Sequence, residues 1–318
     1  MSEKSNNNGR AYEYACLLQL QKALSPLRTV KIIQNSSLEA DKRAWESVGE
    51  KLQRTLAESS CAAARTLLDL EKLMAETDGD SLCLLVQKDK RGEEDGDVRD
   101  IVISRSEIGW EIGLSCKHNH FAVKHSRLSK SLNFGEKWYG ISCSKEYWQE
   151  VGPIFERLEE AKSLGTLWRN LPDKAEKVYL PLLLAFIAEI KRAYSQDKSM
   201  AKRMVEYLMG EYDYYKVISI DKDRITQIRP YNVHGDLGKP GKNGGPKILI
   251  PRTSLPTRIV EMEIQPAREN TAELYMDKGW QFTFRIHNAK DEVEPSLKFD
   301  IEAIGLPNTI IVINATWN

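Results

Sequence analysis

The segment that decides the fold is residues 95–127, which read DGDVRDIVISRSEIGWEIGLSCKHNHFAVKHSR. Asp100 precedes a β-branched run, and residues 106–109 are typical of a turn into a second strand at 110–117. Side chains alternate along that second strand, so two faces can be distinguished. One face carries Trp110, Ile112, Leu114 and Cys116, and the other carries Glu111, Gly113, Ser115 and Lys117. The pattern predicts a β-hairpin with one buried face and one face that can hold chemistry.

The polar face of this hairpin combines oxygen ligands with a cation. Asp100 begins one strand, and Ser115 and Lys117 lie on the other. Carboxylate and hydroxyl oxygens are the ligands that Mg²⁺ prefers, and an ammonium group nearby can stabilise charge that develops on a phosphate. The residues therefore favour phosphodiester hydrolysis. The competing interpretation is a half-exposed strand with a solvated edge, which is the commoner meaning of such a pattern taken alone.

A second carboxylate lies on a predicted helix near the N-terminus. Residues 9–24 have helical periodicity, and Glu13 falls on the apolar stripe. That stripe consists of Cys16, Leu17, Leu20 and Leu24. Because burying an unpaired charge is costly, Glu13 requires a partner such as a metal ion or a lysine. Alternatively, the negative charge of Glu13 stabilises the N-terminus of the helix. The sequence leaves both roles of Glu13 open.

The charge of the chain is balanced overall but segregated locally. There are 46 basic and 46 acidic residues among 318. Two segments, 112–135 and 237–260, lack acids and contain several lysines and arginines. Basic patches on a neutral protein indicate a defined anionic ligand, whereas a protein that coats nucleic acid is basic throughout. Solvated basic loops are the alternative.

Cysteine usage and hydropathy indicate a cytoplasmic protein that does not contact membranes. The five cysteines are odd in number, widely spaced and without a CxxC pair, so we expect reduced thiols. The polar N-terminus does not resemble a signal peptide. The longest apolar run, 178–190, is too short to cross a bilayer and contains Pro181 and Glu189, which favours a buried helix.

The remaining pattern predicts a mixed α/β chain in two parts. Residues 1–211 are expected to form a helical and catalytic core, and residues 212–318 a β-rich region that recognises the ligand. Helices are predicted at 36–76 with a cap at Ser36, 120–132 with a cap at Asn119, 145–163 and 179–209 with a break near 195–199. Strands are predicted at 81–87, 214–220, 224–229, 247–250, 258–264, 280–286, 297–301 and 309–313. The loop at 232–247 is rich in Gly, Pro and Lys and is suited to contacting a ligand.

Three stretches resemble the PD-(D/E)XK nuclease superfamily. They are Gly9-Arg-Ala-Tyr-Glu13, Asp100-Ile-Val-Ile103 and Glu111-Ile-Gly-Leu-Ser-Cys-Lys117. More specifically, residues 9–20, the segment SCKHNHFAVKHSRLS at 115–129 and LPTRI at 255–259 are similar to the HaeIII type II restriction endonuclease family, over essentially the whole chain. The resemblance implies a restriction-endonuclease-like core with helical insertions and a β-rich C-terminal region for DNA recognition. It also implies Mg²⁺-dependent cleavage of both strands of duplex DNA at GGCC.

The same resemblance implies roles for individual residues. Asp100 corresponds to the metal-binding aspartate, Lys117 to the catalytic lysine and Glu13 to an additional ligand on the first helix. The chain departs from the superfamily pattern at Arg99, where proline is usual, and at Ser115, where a carboxylate is usual. The second carboxylate must then be supplied by Glu13 or Glu111, with Asp97 as a weaker candidate, while the Ser115 hydroxyl is a further oxygen ligand.

The predicted DNA contacts fall into two groups. Arginine and lysine side chains donate to guanine O6 and N7 in the major groove, and the acid-free segment near 238–258 supplies them. Other cations would hold phosphates and set the register. The full set is His118, Asn119, His120, Lys124, His125, Arg127, Lys130, Asn232, His234, Lys239, Lys242, Lys247, Arg252 and Arg258.

Two other classes of function fit the sequence. A DNA-binding protein with a degenerate site is suggested by Ser115, and a non-restriction nuclease for repair would use the same core. A palindromic site suits a two-fold dimer, while a monomer that cuts twice is equally compatible. A cognate DNA methyltransferase would act on the same site without binding this chain.

Overall fold

The protein is described from a computed structural model, which covers residues 3–87, 97–121 and 123–317. The helices are α1 (Glu3–Leu24), α2 (Ser36–Ser47), α3 (Glu50–Leu70), α4 (Lys72–Ala75), α5 (Phe134–Tyr139), α6 (Lys145–Ser163), α7 (Leu180–Gln196) and α8 (Met200–Met209). The strands are β1 (Val30–Ile32), β2 (Leu82–Val86), β3 (Ile101–Arg105), β4 (Trp110–His118), β5 (Lys124–Ser129), β6 (Tyr214–Ile220), β7 (Ile225–Tyr231), β8 (Ile259–Ile264), β9 (Thr271–Met276), β10 (Gln281–His287), β11 (Ser296–Gly305) and β12 (Ile313–Thr316).

The chain divides into two compact units, each made from separate segments. The first unit contains Met1–Phe121, Gly210–Ser254 and Thr309–Asn318, and the second contains Ala122–Met209 and Leu255–Asn308. These units do not follow the predicted boundary between residues 211 and 212. Each sheet contains strands from both sides of that boundary. The sheet of the first unit combines β1 to β4 with β6, β7 and β12, and the sheet of the second unit combines β5 with β8 to β11.

The first unit is a mixed sheet with helices packed on it. Among the described residues its sheet has seven strands in the order β1-β2-β3-β4-β6-β7-β12. The β3–β4 hairpin is antiparallel, and β4 pairs in parallel with β6. Apolar residues of α1, α3, β3 and β4 form one buried cluster, which fixes α1 against the hairpin. A buried hydrogen-bond chain from Tyr12 through Ser59 to Thr226, with distances of 2.8 and 2.7 Å, joins α1, α3 and β7.

The second unit contains an antiparallel sheet and the helices α5 to α8. The order of the five strands found in the described residues is β5-β11-β10-β9-β8. Its core is rich in aromatic side chains, and the Phe134, Trp138, Phe186 and Phe299 rings lie 5.0–6.2 Å from one another in several pairs. Such edge and stacked contacts add to the stabilisation that apolar burial provides. Mixed α/β architecture, as predicted, is confirmed in both units.

The hairpin that organises the sequence forms as predicted. Trp110, Ile112, Leu114 and Cys116 are all buried, and Glu111 on the other face is exposed. The predicted helices at 9–24 and 145–163 are confirmed by α1 and α6, and the break near 195–199 separates α7 from α8. The predicted helix over 36–76 divides into α2, α3 and α4, and its cap is Asn35, whose side chain accepts from the Leu38 amide.

Several predicted elements are wrong. The helix expected at 120–132 is replaced by β5, because its alternating Ser126 and Leu128 side chains are buried when the strand pairs with β11. Residues 247–250 do not form a strand, since Pro246 and Pro251 flank them and proline cannot donate to a ladder. The last strand is β12, which begins four residues later than the one predicted at 309–313. The short strand β1 and the buried strand β9 lacked a recognisable signal.

All five cysteines lie in the described residues and each is free, as the sequence predicts. The run at 178–190 falls largely within α7, as expected for a buried helix. Within residues 3–87, 97–121 and 123–317, no helix combines the length and apolar character required to cross a membrane.

Candidate active site and nucleic-acid interface

Asp100 is held at the entrance to β3 by both neighbouring strands. Its amide N–H donates to the Leu114 carbonyl at 2.7 Å, and its carbonyl accepts from the Gln87 amide at 2.9 Å. The carboxylate Oδ2 accepts from the Cys116 amide at 2.6 Å and from Lys117 Nζ at 3.1 Å. One carboxylate oxygen is therefore oriented by two donors from β4.

Glu13 brings a second carboxylate to the same place from α1. Burial raises the pKa of Glu13 well above its usual range, and the charges of Asp100 and Asp41 raise it further, while Lys117 and Arg10 oppose the shift. This electrostatic coupling means that the Glu13 and Asp100 carboxylates lie close enough to repel each other. The structure thus brings together Glu13, Asp100 and Lys117.

Lys117 remains positively charged in this environment. Its side chain is 27% exposed and that of Asp100 is 22% exposed, so both are partly shielded from water. Burial lowers the pKa of the ammonium group, but the Asp100 and Glu13 carboxylates outweigh that effect and the net shift is upward. A charged lysine that contacts Asp100 and is attracted by the Glu13 carboxylate is available to neutralise an approaching phosphate.

The donors at this site fit Mg²⁺ better than Zn²⁺. In the part of the chain that the structure describes, no three His, Cys, Asp or Glu side chains converge as a metal-binding group. Mg²⁺ needs only one or two carboxylates, with water and substrate phosphate as the other ligands. Glu13 and Asp100 provide two such carboxylates, whose mutual repulsion a divalent cation would relieve. Ser115 is buried immediately before Cys116 on β4, in register with Lys216 on β6.

Glu111 and Asp97 are engaged elsewhere. Glu111 pairs across the hairpin with Ser104, whereas Ile101 pairs with Leu114. The position opposite Asp100 is therefore Ser115, which about 13 Å of strand separates from Glu111. Arg99 Nη1 donates to Glu111 at 2.8 Å, and Arg99 Nε and Nη2 donate to Asp97 at 2.9 and 2.7 Å. Both carboxylates are therefore the partners of one arginine.

The lysines of the basic loop are paired with acids. Lys239 bonds to Asp236, Lys242 bonds to Asp78, and Lys247 lies 3.8 Å from Asp69. These lysines are exposed or half-exposed, so each pair is weak and can exchange for a phosphate. Their placement on an exposed loop is compatible with DNA contact, but the loop is not a source of unpaired charge.

Two glutamates hold the backbone of the same loop. Glu71, which is fully buried, accepts from the Gly238 amide at 2.7 Å and from the Tyr215 hydroxyl at 2.5 Å. Glu76 accepts from the Lys242 amide at 2.9 Å. A Cβ atom at Gly241 would lie 2.0 Å from Glu76 Oε1, so a larger residue there would displace the Glu76 carboxylate. The Gly-rich loop is thus built around carboxylates and is not an unstructured connection.

Glu71→Gln is expected to remove part of the pH dependence of stability. Burial raises the pKa of Glu71 to about 7, hydrogen bonds from Tyr215 and Gly238 oppose this, and Asp213 and Asp236 add to it. Between the ordinary carboxyl pKa and about 7 the folded protein binds a proton that the unfolded chain releases. The free energy of unfolding therefore falls as pH rises through this range, by on the order of 3 kcal/mol, and then levels off.

Urea unfolding from about pH 5 to pH 8 measures this effect. The variant should lose the downward slope while retaining both hydrogen bonds to the side-chain oxygen. An unchanged slope in Glu71→Gln would show that other groups cause it.

Residues 118–120 continue from Lys117 but are not helical. His118 is the last residue of β4, and its Nε2 lies 2.8 Å from Asp221. Asn119, with a φ of 51°, accepts from the Asp221 amide at 3.0 Å, and His120 is half-buried. The His118–Asp221 contact ties the ends of the parallel strands β4 and β6 together.

In the second unit, the candidate DNA contacts lie mainly on β5. Lys124 Nζ donates to the Tyr207 carbonyl at 2.9 Å, and His125 lies 3.0 Å from Asp300. Arg127 donates to Ser296 at 2.8 Å. Exposed Lys130 lies 3.3 Å from Glu159, and exposed Arg258 precedes β8.

The other first-unit candidates differ in exposure. Asn232 is buried, and its side chain donates to the Ile250 carbonyl at 3.2 Å and accepts from the Leu237 amide at 3.2 Å. His234 Nε2 lies 2.5 Å from the Glu211 carbonyl. Arg252 is exposed and bonds to the His234 carbonyl. Asn232 is thus placed to shape the loop, while Arg252 is accessible.

Comparison with known proteins identifies the family. A family model for HaeIII restriction endonuclease matches residues 9–307. The chain is 46% identical to the type II restriction enzyme HaeIII of Haemophilus aegyptius over 318 residues, which is all of this chain and 99% of that relative. No solved structure matches the chain. The chain therefore belongs to the HaeIII restriction endonuclease family and is a type II restriction endonuclease, which confirms the resemblance seen in the sequence.

The sequence did not predict the roles of three residues near the site. Asp41 on α2 is buried beside Arg10 at 3.1 Å and acts electrostatically on Glu13. Asp221 fixes His118, and Arg99 holds the residues before Asp100. Asp41 is one of several charged residues on α2, and nothing in the spacing of the sequence shows that it is the buried one. The sequence marks Arg99 as the residue that replaces the usual proline, but it does not show that Asp97 and Glu111 are its partners.

Proposed function

We propose that this protein is a Mg²⁺-dependent endonuclease that hydrolyses one phosphodiester bond in each strand of duplex DNA at GGCC. The observation that carries the proposal is the convergence of Glu13, Asp100 and Lys117 in a member of the HaeIII restriction endonuclease family. The GGCC sequence rests on the family resemblance, and the metal rests on that resemblance together with the oxygen donors of the site.

Each residue of the site has a role that follows from its contacts. Asp100 and Glu13 would hold Mg²⁺, and Ser115 is a further oxygen donor. Bound Mg²⁺ supplies charge stabilisation and lowers the pKa of water. The Cys116 amide and Lys117 orient the Asp100 carboxylate. Lys117, fixed as an ammonium group by its two carboxylate neighbours, would stabilise the extra negative charge on the phosphoryl oxygens.

Double-stranded DNA is the proposed partner. Lys124, Arg127 and Lys130 would contact phosphates, and Arg252 with the exposed loop lysines would donate to guanine. Contact by Lys242 or Lys247 would require exchange of the aspartate partner for DNA, which costs little at exposed pairs. Both a dimer bound to the palindrome and a monomer that cuts twice are compatible with this proposal. A cognate methyltransferase would modify the same GGCC site without binding this chain.

A pair of short duplexes tests the proposed activity. One contains a single GGCC and the other has the same composition with GCGC at that position, and each is incubated with Mg²⁺ or with EDTA. We expect cleavage of both strands of the first duplex only, and only with Mg²⁺. Specific binding without cleavage would favour a degenerate DNA-binding protein. Cleavage that follows mismatches or branches instead of sequence would favour a repair nuclease.

The second carboxylate is tested by comparing Glu13→Gln with Glu111→Gln. Because the Asp100 charge acts on the Glu13 carboxylate, the loss of Glu13 is expected to slow cleavage on the order of 100-fold. Glu111 bonds to Arg99, so its loss should have a smaller effect. Single-turnover cleavage at several Mg²⁺ concentrations measures both, with circular dichroism as the folding control. Normal cleavage by Glu13→Gln together with a severe loss in Glu111→Gln would reverse the assignment.

A further inference from the structure

The residue immediately before Asp100 is enclosed by an unusual set of contacts. The Arg99 side chain is only 6% exposed, although it carries a full charge and belongs to a segment without regular secondary structure. A buried arginine is costly unless its donors are satisfied. Its position, one residue from a carboxylate of the proposed active site, raises the question of what this burial achieves.

The Arg99 guanidinium is held on three sides, all within the first unit. Nε and Nη2 donate to Asp97 at 2.9 and 2.7 Å, and Nη1 donates to Glu111 at 2.8 Å. The guanidinium carbon lies 4.0 Å from the centre of the Tyr212 ring, in cation–π geometry. We name Arg99, Asp97, Glu111 and Tyr212 the Arg99 clamp.

Gly113 on β4 is shaped to receive this clamp. A Cβ atom at Gly113 would lie 2.2, 2.5 and 2.9 Å from Cδ, Cγ and Cβ of Arg99. These are the inner atoms of the side chain, so a methyl group could be accommodated only if Arg99 left its place. The absence of a side chain at Gly113 thus allows the Arg99 stem to lie directly across β4.

The clamp joins three pieces of chain around Asp100. Asp97 also accepts from the Arg99 amide at 3.0 Å and from the Gln87 side chain at 2.6 Å. These bonds join residues 97–99 to the residue that follows β2. Glu111 belongs to β4, and Tyr212 precedes β6. The peptide that enters Asp100 is therefore fixed to three neighbouring segments of the sheet.

We propose that Arg99 is a positioning residue that aims the Asp100 carboxylate at the reacting phosphate, and that Gly113 leaves the room that its side chain requires. This inference rests on the proposed function, because it assigns Asp100 to the chemistry. Arg99 itself, enclosed by its partners, does not contact DNA. Its loss should slow the chemical step by about 10- to 100-fold, as misplacement of a reacting group by about 1 Å can do, and leave DNA affinity nearly unchanged.

The test uses the whole chain with three variants and one control. Arg99→Met keeps the length of the stem and removes the guanidinium. Gly113→Ala displaces Arg99 without altering it. The double variant Gly113→Ala/Arg99→Ala removes the two shortest contacts and leaves the one at 2.9 Å between the Cβ atoms, so it should recover part of the stability lost in Gly113→Ala. Gly152→Ala is the matched control, since a Cβ atom there meets no atom within 4 Å.

Two quantities are measured on a duplex with one GGCC site: DNA affinity in EDTA, and the single-turnover cleavage rate at saturating protein as Mg²⁺ is varied. We expect all variants to bind DNA, and Arg99→Met, Gly113→Ala and the double variant to cut more slowly, with a higher Mg²⁺ requirement. Gly152→Ala should match the wild type.

Wild-type cleavage by folded Arg99→Met would overturn the positioning role. A loss of affinity with an unchanged cleavage rate for bound DNA would also overturn it, in favour of direct DNA contact. If the wild type itself did not cut, the proposed function and this inference would both fail, whereas failure of the inference alone leaves wild-type cleavage intact.

Discussion

Asp100→Asn is expected to reduce DNA cleavage on the order of 1,000-fold or more. The substitution keeps the size of the side chain but removes the charge that would hold Mg²⁺ and that pairs with Lys117 at 3.1 Å. Its amide oxygen can still accept from the Cys116 amide, so the hairpin should remain folded. DNA affinity should be equal to or greater than that of the wild type, because a negative charge near the phosphates has been removed.

Single-turnover cleavage and a binding assay in EDTA measure these two effects separately. Asp173→Asn is the matched control, since Asp173 forms an exposed ion pair with Lys177 in the second unit and has no part in the site. Cleavage at the wild-type rate by Asp100→Asn would remove Asp100 from the mechanism.

Lys117→Met should lower the cleavage rate by roughly 100- to 1,000-fold through a different cause. Methionine preserves most of the length of the side chain, so the main change is the loss of a charge beside Asp100 and Glu13. The two carboxylates then lose their counter-charge. Loss of that counter-charge raises the pKa of Glu13 still further, because Lys117 is the first of the groups that lower it. Extra Mg²⁺ should not restore the rate, because the missing ammonium group acts on the phosphate.

Lys202→Met provides the control for removal of a lysine. Lys202 is exposed on α8 and lies 3.4 Å from Glu206, a surface pair that contributes little. Cleavage rates of DNA already bound to each variant isolate the chemical step. Full recovery of Lys117→Met at high Mg²⁺ would assign Lys117 to metal binding instead of charge stabilisation.

Local patterns were sufficient to predict the hairpin and the first helix. Alternation from Trp110 to Lys117 requires only that one face be buried, and the structure buries that face. The stripe on α1 likewise predicted that Glu13 would face the interior, where it is half-buried and where the charge of Asp100 raises its pKa. Both are consequences of periodicity, which is a property of a single segment.

Contacts between distant segments could not be predicted in this way. Residues 124–129 form a strand because β11, about 170 residues later, pairs with them, and their local sequence suggested a helix cap instead. The basic segment at 232–247 was predicted correctly as a loop, but its acid partners Asp69 and Asp78 lie far away in sequence. Glu111 shares a face with Lys117 by alternation, yet only the position of Arg99 shows which partner it has.

The division of the chain shows the same limit. A change of composition near residue 212 predicted a boundary, because the C-terminal part is rich in strands. Sheet pairing does not respect that change, since β4 pairs with β6 in one unit and β5 pairs with β11 in the other. Composition therefore does not assign sequence recognition to the residues after 212.

The most direct test of the central claim is digestion of a plasmid of known sequence by the wild type and by Asp100→Asn, each with Mg²⁺ and with EDTA, followed by sequencing of the ends. We predict discrete fragments whose ends all fall at GGCC, produced only by the wild type and only with Mg²⁺. Ends scattered over other sequences, an intact plasmid with the wild type, or equal digestion by Asp100→Asn would contradict the account.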